Sequence, residues 1–329
     1  MSGLKVLAIY GQLKHSRIDN FQTSIIAKEL SKDGTLYKKE VFFNVFINFA
    51  ILRAILPIWL FIKKEDDFKD VEECDVIVVS GKKMIRFAKH LRKNMFPGVK
   101  IVQIGNPYCN INKNDILLRQ ETSRYIATCK NTIKINGLLS RKIKPDVAQK
   151  EMQKFSKITD ILKGEYISVF IGKNMFGFKL YDAEVKEFAK TISKISYNHK
   201  MPLLILTDRK VKKNIIDTIK QNLDCSYYFF ENKNPIEGPK IAFMSWAKYY
   251  ILLGNSINDH SEYIAQEKPT YIYKSIKNTK RYNKFLEIAV ANNSAKILTP
   301  DMETIEEYKS KTLNNIPEIC DKIKAILNN

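Results

Sequence analysis

Apolar runs of four to six residues that stop at glycine or a polar loop, most of them leading into a helix-like stretch, constrain this chain more than any other feature. Residues 6–10 end at Gly11 and pass through a polar loop into helical periodicity over 21–30. Residues 76–79 stop at Ser80-Gly81 before another helical pattern, and 99–104 stop at Gly105-Asn106-Pro107. The second half repeats this order: 166–171 end at Gly172, 202–207 at Asp208-Arg209 and 249–253 at Gly254-Asn255-Ser256, with a shorter strand at 270–273. Predominantly apolar runs of this length read as strands buried on both faces, as in parallel sheets covered by crossover helices. The expected class is α/β, with two Rossmann-like α/β/α domains facing across a cleft. In such sheets ligands sit beyond the carboxyl ends of the strands, so chemistry is expected in the loops just named.

Two domains also follow from length, because 329 residues exceed one ordinary core. The expected division is 1–150, 151–300 and a tail at 301–329. The hinge falls within 137–164, a loop and then a helix with Pro145 near its start and Gly164 at its end. The tail from about Met302 reads as helical and is expected to pack back toward the first domain. The five cysteines are odd in number and never in C-x-x-C spacing, which suggests neither a disulfide framework nor a zinc site and fits a reducing compartment. Met1-Ser2-Gly3-Leu4-Lys5 runs directly into the first strand and leaves no room for a signal peptide, so the expected location is the cytoplasm.

A formal charge of +20 attracts polyanions, although an AT-rich genome also enriches lysine. Residues 1–150 carry 27 basic and 14 acidic side chains against 28 and 21 in the rest, so the excess is greater in the first half. Nucleic acid is not expected as the partner: there is no zinc-finger spacing, RNP-like aromatic motif or separable basic module. An anionic membrane surface fits better. Residues 41–62 are the most apolar stretch, but Asn44, Asn48, Arg53 and Pro57 interrupt it, and a central Arg alone costs roughly 2.5 kcal/mol or more on an insertion scale. The stretch therefore reads as a strand passing into an interfacial segment that offers Phe46, Phe49, Leu52, Leu56, Trp59 and Leu60, or else as an ordinary core strand and buried helix. Residues 82–100 contain no acid, and at helical spacing Lys82, Arg86, Lys89 and Lys93 share one face while Ile85, Ala88, Leu91 and Met95 share another. That helix suits an anionic bilayer, or is simply a solvated face.

Generic catalytic signatures are absent: no G-x-S-x-G, H-E-x-x-H, Walker loop or G-x-G-x-x-G occurs. The four histidines lack metal-ligand spacing, and no D-x-D is present to hold a metal-bound nucleotide-sugar. What does occur is an ordered series of strings: Asp19-Asn20-Phe21-Gln22, Ser80-Gly81-Lys82-Lys83 and Val102-Gln103-Ile104-Gly105-Asn106-Pro107 in the first half. The second half adds Gly172-Lys173-Asn174, Thr207-Asp208-Arg209-Lys210, Asn234-Pro235, the segment from Asn255 to Tyr263, and Glu267-Lys268-Pro269-Thr270. Together, over about residues 5–285, they resemble the bacterial and plant mitochondrial fission (elongated-mitochondria) family of GT-B glycosyltransferases. The family's strings at these places are D/E-N-Q, a serine and glycine with two basic residues, V-Q-I-x-D-P, G-G-N, T-S-R-R, N-P, D-S-x-x-M-x-S-E-A and G-K-P-V.

The resemblance implies a nucleotide-sugar donor held mainly by residues 151–300 and a glycolipid or lipopolysaccharide-type acceptor on the 1–150 side, at the inner face of the membrane and without cofactor or metal. The expected donor residues are Gly172, Lys173, Asn174, Thr207, Arg209, Asn234, Pro235, Ser256, Ser261 and Glu262. Gly172 would let backbone amides approach a diphosphate, and Arg209 with Lys210 would neutralise the leaving group. Glu262 would accept ribose or sugar hydroxyls near a helix start, or Ser261-Glu262 would only cap that helix. Transfer also needs a base for the acceptor hydroxyl. Asp19, in the loop after the first strand, is the first candidate and His15 the second, with helix N-capping the alternative role for Asp19. Lys173, Asp208, Asn106 and Asn255 depart from the family strings, which keeps open a second reading as a non-catalytic, membrane-recruited scaffold.

Overall fold

The computed structural model describes residues 3–12, 17–44, 47, 56–66, 68–81, 83–106, 112–123, 130–156, 165–172, 180–231 and 238–328. The chain divides into two compact units, Met1–Leu139 with Asn314–Asn329, and Ser140–Leu313.

The first unit begins with β1 (Lys5–Gln12), α1 (Arg17–Leu30) and β2 (Thr35–Phe43). A 3-10 turn at Ile58–Phe61 leads into β3 (Ile62–Glu65), followed by β4 (Val76–Ser80), α2 (Met84–Asn94), β5 (Lys100–Ile104), β6 (Ile116–Gln120) and β7 (Thr132–Ile135). The sheet order is β3-β2-β1-β4-β5-β6-β7, parallel throughout except for the antiparallel edge strand β3. Side chains alternate across it. Val6, Ala8, Val76, Val78, Val102 and Ile104 pack on one face with Ile25, Ile26 and Leu30 of α1. Leu7, Ile9, Ile77, Val79 and Ile101 pack on the other with Ile85, Phe87 and Leu91 of α2. Full burial of each Val, Leu, Ile or Phe side chain among them contributes roughly 1.5–3 kcal/mol, so the strand runs define the core.

The second unit contains α3 (Pro145–Lys154), β8 (Ile167–Ile171), α4 (Asp182–His199), β9 (Leu203–Thr207), α5 (Lys213–Asn222), β10 (Tyr227–Glu231), α6 (Gly238–Ser245), β11 (Tyr249–Leu253), α7 (Ile257–Ile264), β12 (Thr270–Tyr273), α8 (Lys280–Ala291) and β13 (Lys296–Leu298). Its sheet, β10-β9-β8-β11-β12-β13, is wholly parallel. In both sheets the strand order reverses direction beside the first strand of the unit, between β1 and β4 and between β8 and β11. Those two switch points are where a doubly wound sheet opens for a ligand.

The tail differs from its sequence pattern. Residues 302–315 form neither helix nor strand, and Ile305 and Leu313 are buried in the second unit's cores. Tyr308 pairs with Thr270 at the start of β12, its hydroxyl donating to the Thr270 carbonyl and accepting the Thr270 N–H, both at 2.9 Å. The apolar spacing there serves an extended segment. The final helix, α9 (Ile316–Leu327), starts only after Asn315, whose side chain accepts the Glu318 N–H, and it packs in the first unit's core. Lys100 Nζ donates to the Ile326 and Leu327 carbonyls at 3.0 and 2.8 Å, a cation at the negative end of that helix.

Phe46, Phe49, Leu52 and Lys82 lie outside the described residues. Trp59 and Leu60 on the 3-10 turn are 58% and 42% exposed. Ile85, Ala88 and Leu91 form the buried face of α2 as their spacing predicts, whereas Met95 is exposed because the helix has already ended. Arg86 on the basic face donates to the Leu56 carbonyl at 2.9 Å. Among the described residues no helix is long and apolar enough to cross a membrane.

Candidate functional site

In the first unit, α1 begins four residues before its apolar periodicity, which places Asp19 and Asn20 inside its opening turn rather than in a loop. An acid there suits the positive end of the helix. Asn20 ties α1 to the end of β1: its side chain accepts the Gly11 N–H at 3.0 Å and donates to the Gly11 carbonyl at 3.1 Å. Asp19 faces the end of β4, where Ser80 Oγ donates to Asp19 Oδ1 at 3.1 Å. Gly81 has φ +83°, and a Cβ on it would lie 2.5 Å from Asp19 Oδ2, so glycine is required here on both counts. Burial pushes the Asp19 carboxyl above the usual range, opposed by the Ser80 hydrogen bond and by the nearby Lys83 charge.

Gln103, fully buried on β5, donates to the Ile104 carbonyl at 2.9 Å and more weakly to that of Gly81 at 3.4 Å. Among the described residues, Gln22 Oε1 and Gln103 Oε1 are buried without a hydrogen-bond partner. Asn106 accepts from Ser123 Oγ at 3.0 Å. The three first-half strings thus converge on the carboxyl edge of one sheet, around the β1/β4 switch point. His15 lies outside the described residues.

In the second unit, the Gly172 N–H donates to the Leu253 carbonyl at 2.7 Å, joining the ends of β8 and β11. Gly254 has φ +123°, and a Cβ on it would meet Gly172 Cα at 3.1 Å. Two loops therefore touch at the switch point with no side chain between them. Thr207 is buried at the end of β9, the Asp208 N–H donates to the Ile171 carbonyl at 2.8 Å, and Asp208 Oδ1 accepts the Lys210 N–H at 2.9 Å. A cavity of about 370 Å³ is lined by Thr207, Asp208, Arg209, Lys213 and Glu231, among others. It brings Thr207 and Arg209 together but does not include Gly172, Ser256 or Glu262. Lys173, Asn174, Asn234 and Pro235 lie outside the described residues.

Ser256 is the N-cap of α7, accepting the Asp259 N–H at 3.3 Å. Ser261 is buried and donates to the Ile257 carbonyl one turn back at 2.7 Å, so it is not a cap. Glu262 joins a cluster the sequence did not suggest: Lys240 Nζ on α6 lies 2.5 Å from Glu262 Oε2 and 2.6 Å from Asp259 Oδ1. The ammonium also sits over the Phe170 and Tyr263 rings, 5.1 and 5.6 Å from their centroids. Burial disfavours charge on Lys240, yet the two carboxylates hold its pKa above the ordinary lysine value. Burial likewise opposes ionisation of Asp259, and Lys240 outweighs it to keep that carboxyl below its usual range. The only sequence signal for Lys240 was the i, i+3 spacing of two acids on one helix.

Lys268 donates to the Ser245 and Ala247 carbonyls at 2.7 and 2.6 Å and so holds the end of the helix that carries Lys240. Glu267 beside it has φ +58°, a left-handed conformation that glycine adopts without strain, which accounts for glycine in the family string at this place.

His260 is completely buried on α7, with Nδ1 2.9 Å from the Tyr282 hydroxyl and Nε2 without a partner among the described residues. Burial lowers its pKa to about 4. Between that value and the ordinary 6.5, the unfolded chain binds a proton that the folded one does not, so stability falls as pH drops through this window. The expected loss is about 3 kcal/mol by pH 4. Denaturant titrations at stepped pH check it: His260→Gln should flatten the acid slope, and an unchanged slope would refute the assignment.

A family model described as Mitochondrial fission ELM1 matches residues 12–327. No curated protein matches the sequence. Among solved structures, the UDP-GlcNAc 2-epimerase of Methanocaldococcus jannaschii is similar with a TM-score of 0.56 and 12% identity, over 99% of both chains. MurG of Acinetobacter baumannii has a TM-score of 0.45 at 12% identity over 99% of this chain and 91% of its own. The ADP-heptose LPS heptosyltransferase II of E. coli has 0.45 at 10% over 99% of both. The first of these carries the likeness, which is one of fold: two α/β sheets of the GT-B type, with seven and six strands, parallel but for the edge strand β3.

Proposed function

The chain belongs to the Mitochondrial fission ELM1 family, and we propose that it transfers a sugar from a nucleotide-sugar donor to a glycolipid or lipopolysaccharide-type acceptor at the inner membrane surface. The observation that carries this reading is the side-chain-free contact of Gly172 with Gly254 at the β8/β11 switch point, where backbone can approach a diphosphate closely. Arg209 and Lys210 supply positive charge for the leaving diphosphate, so the reading needs no metal. Thr207 and Ser256 belong to the same carboxyl edge, with Lys173, Asn174, Asn234 and Pro235 assigned to the donor by their strings alone. Glu262, held by Lys240, presents a carboxylate to ribose or sugar hydroxyls, while Ser261 supports the helix that bears it. Asp19 acts as the base, with His15 the alternative. Exposed Trp59 and Leu60, together with the basic face of α2, support attachment to an anionic bilayer.

The test is calorimetric titration of the full chain with UDP-, GDP- and CMP-sugars. One donor should bind, and Arg209→Ala should weaken it roughly 10- to 100-fold, the cost of a charge-assisted hydrogen bond. Failure of all three to bind would sink the transferase reading. It would leave the non-catalytic scaffold, which the engagement of Glu262 by Lys240 and of Ser261 by its own helix favours.

A further inference from the structure

The loop between β12 and α8 holds Ile276 at 85% exposure, the highest value for a large hydrophobic side chain among the described residues. That exposure is built into the loop. The Ile276 N–H donates to Glu184 Oε1 at 2.8 Å, and Ser275 Oγ donates to the same oxygen at 2.7 Å. The other Glu184 oxygen accepts the Tyr181 N–H at 3.1 Å, and the residue is only 3% exposed. Asn278 Nδ2 donates to the Ser275 carbonyl at 2.9 Å, and Thr279 caps α8 by accepting the Tyr282 N–H. Burying a carboxylate is costly unless donors surround it, and here that cost secures a short loop whose tip side chain points into solvent.

The charge around this tip is of one sign. Between Glu267 and Glu287 the chain has six basic residues and no acid. Lys274 and Lys277 flank Ile276, and both are exposed, as is Lys280 at the start of α8. The loop leaves the carboxyl end of β12, the same edge of the sheet that bears Gly172 and Gly254. Nothing in the donor chemistry uses it.

We propose that the loop at 274–280 is a second contact of this protein with an anionic bilayer: Ile276 enters the headgroup boundary while Lys274, Lys277 and Lys280 lie among the lipid phosphates. An isolated apolar side chain ringed by lysines gains from a medium that offers anions and hydrocarbon together. A duplex nucleic acid supplies only the anions. The inference rests on the membrane part of the proposed function and places a contact on the donor-binding unit itself.

Flotation of the full chain with phosphatidylcholine vesicles and with mixed phosphatidylcholine and phosphatidylglycerol vesicles tests it. The native chain should bind the mixed vesicles and be released by salt. Replacing Lys274→Gln and Lys277→Gln together should lower partitioning about thirtyfold, from about 1 kcal/mol for each lysine near the surface. Ile276→Glu should lower it on the order of tenfold, and Tyr197→Ala, an exposed aromatic elsewhere on the unit, should change nothing. Circular dichroism melts should match the native chain in every variant. Equal binding of native and loop variants, equal binding to neutral vesicles, or variants that lose DNA binding while retaining vesicle binding would each overturn the proposal. Nucleotide-sugar titration separates the two readings. If no donor binds while vesicle partitioning still depends on Ile276, the surface stands and the transferase reading fails; if donors bind and the loop variants partition normally, the reverse holds.

Discussion

Replacing Asp19 by Asn is expected to slow sugar transfer by roughly 10²–10⁴-fold, the usual contribution of a positioned general base, with donor affinity unchanged. Asparagine keeps the shape and still accepts from Ser80, so the surrounding contacts survive while the proton acceptor is lost. In its proposed role as base Asp19 must be ionised, so on that reading activity should fall as pH drops through its pKa. Burial raises that pKa above the ordinary aspartate value, so the acid limb of kcat/KM should lie above where a solvated aspartate would put it. Ser80→Ala and Lys83→Met remove the two influences that oppose the rise, and each should move the limb further upward. Full turnover in Asp19→Asn, or a limb that ignores Ser80 and Lys83, would remove Asp19 from the chemistry.

Lys240→Met should cost about 3 kcal/mol, because it leaves two partly buried carboxylates facing one another without their cation. For a folding unit of this size that corresponds to a fall in Tm of about 6–12 °C. Adding Asp259→Asn or Glu262→Gln should recover part of the loss, since neutralising one acid removes the repulsion. Lys240→Arg should keep most of the stability and, under the proposed function, alter donor affinity through the displaced Glu262. In the native chain the Asp259 pKa is depressed, so its contribution is present above the ordinary aspartate range and is lost only as pH falls through the lower folded value. Thermal melts of the single and double variants are the measurement. A Lys240→Met chain that melts with the native one would mean the cluster is only a surface arrangement.

Much of the architecture is legible in the sequence, for a definite reason. A strand buried on both faces is apolar at nearly every position, with Ser168 and Thr207 the small polar exceptions, so 76–79, 166–171, 202–207 and 249–253 are read directly. Glycine after several of them marked where the backbone turns or is approached. Helix limits were harder to see. Asp19 sits in helix because the opening turn of α1 is polar and has no apolar stripe to announce it. Residues 302–315 carried helical spacing but spend their apolar side chains on an extended run along the second unit.

The separation between sequence and structure is clearest at the β1/β4 edge. The sequence by itself determined that Asp19, Ser80 and Gly81 would each follow or precede a strand end, since that depends on local periodicity alone. Only the tertiary structure decided that they meet, because β1 and β4 are neighbours through the strand order, and Asp19 and Ser80 are 61 residues apart in the chain. The same holds for Lys240, a lysine like many others until α6 and α7 bring it between Asp259 and Glu262. Hydrophobic periodicity is a short-range property written along the chain. The pairing of charges and the close approach of two glycine loops are set by which strands lie side by side.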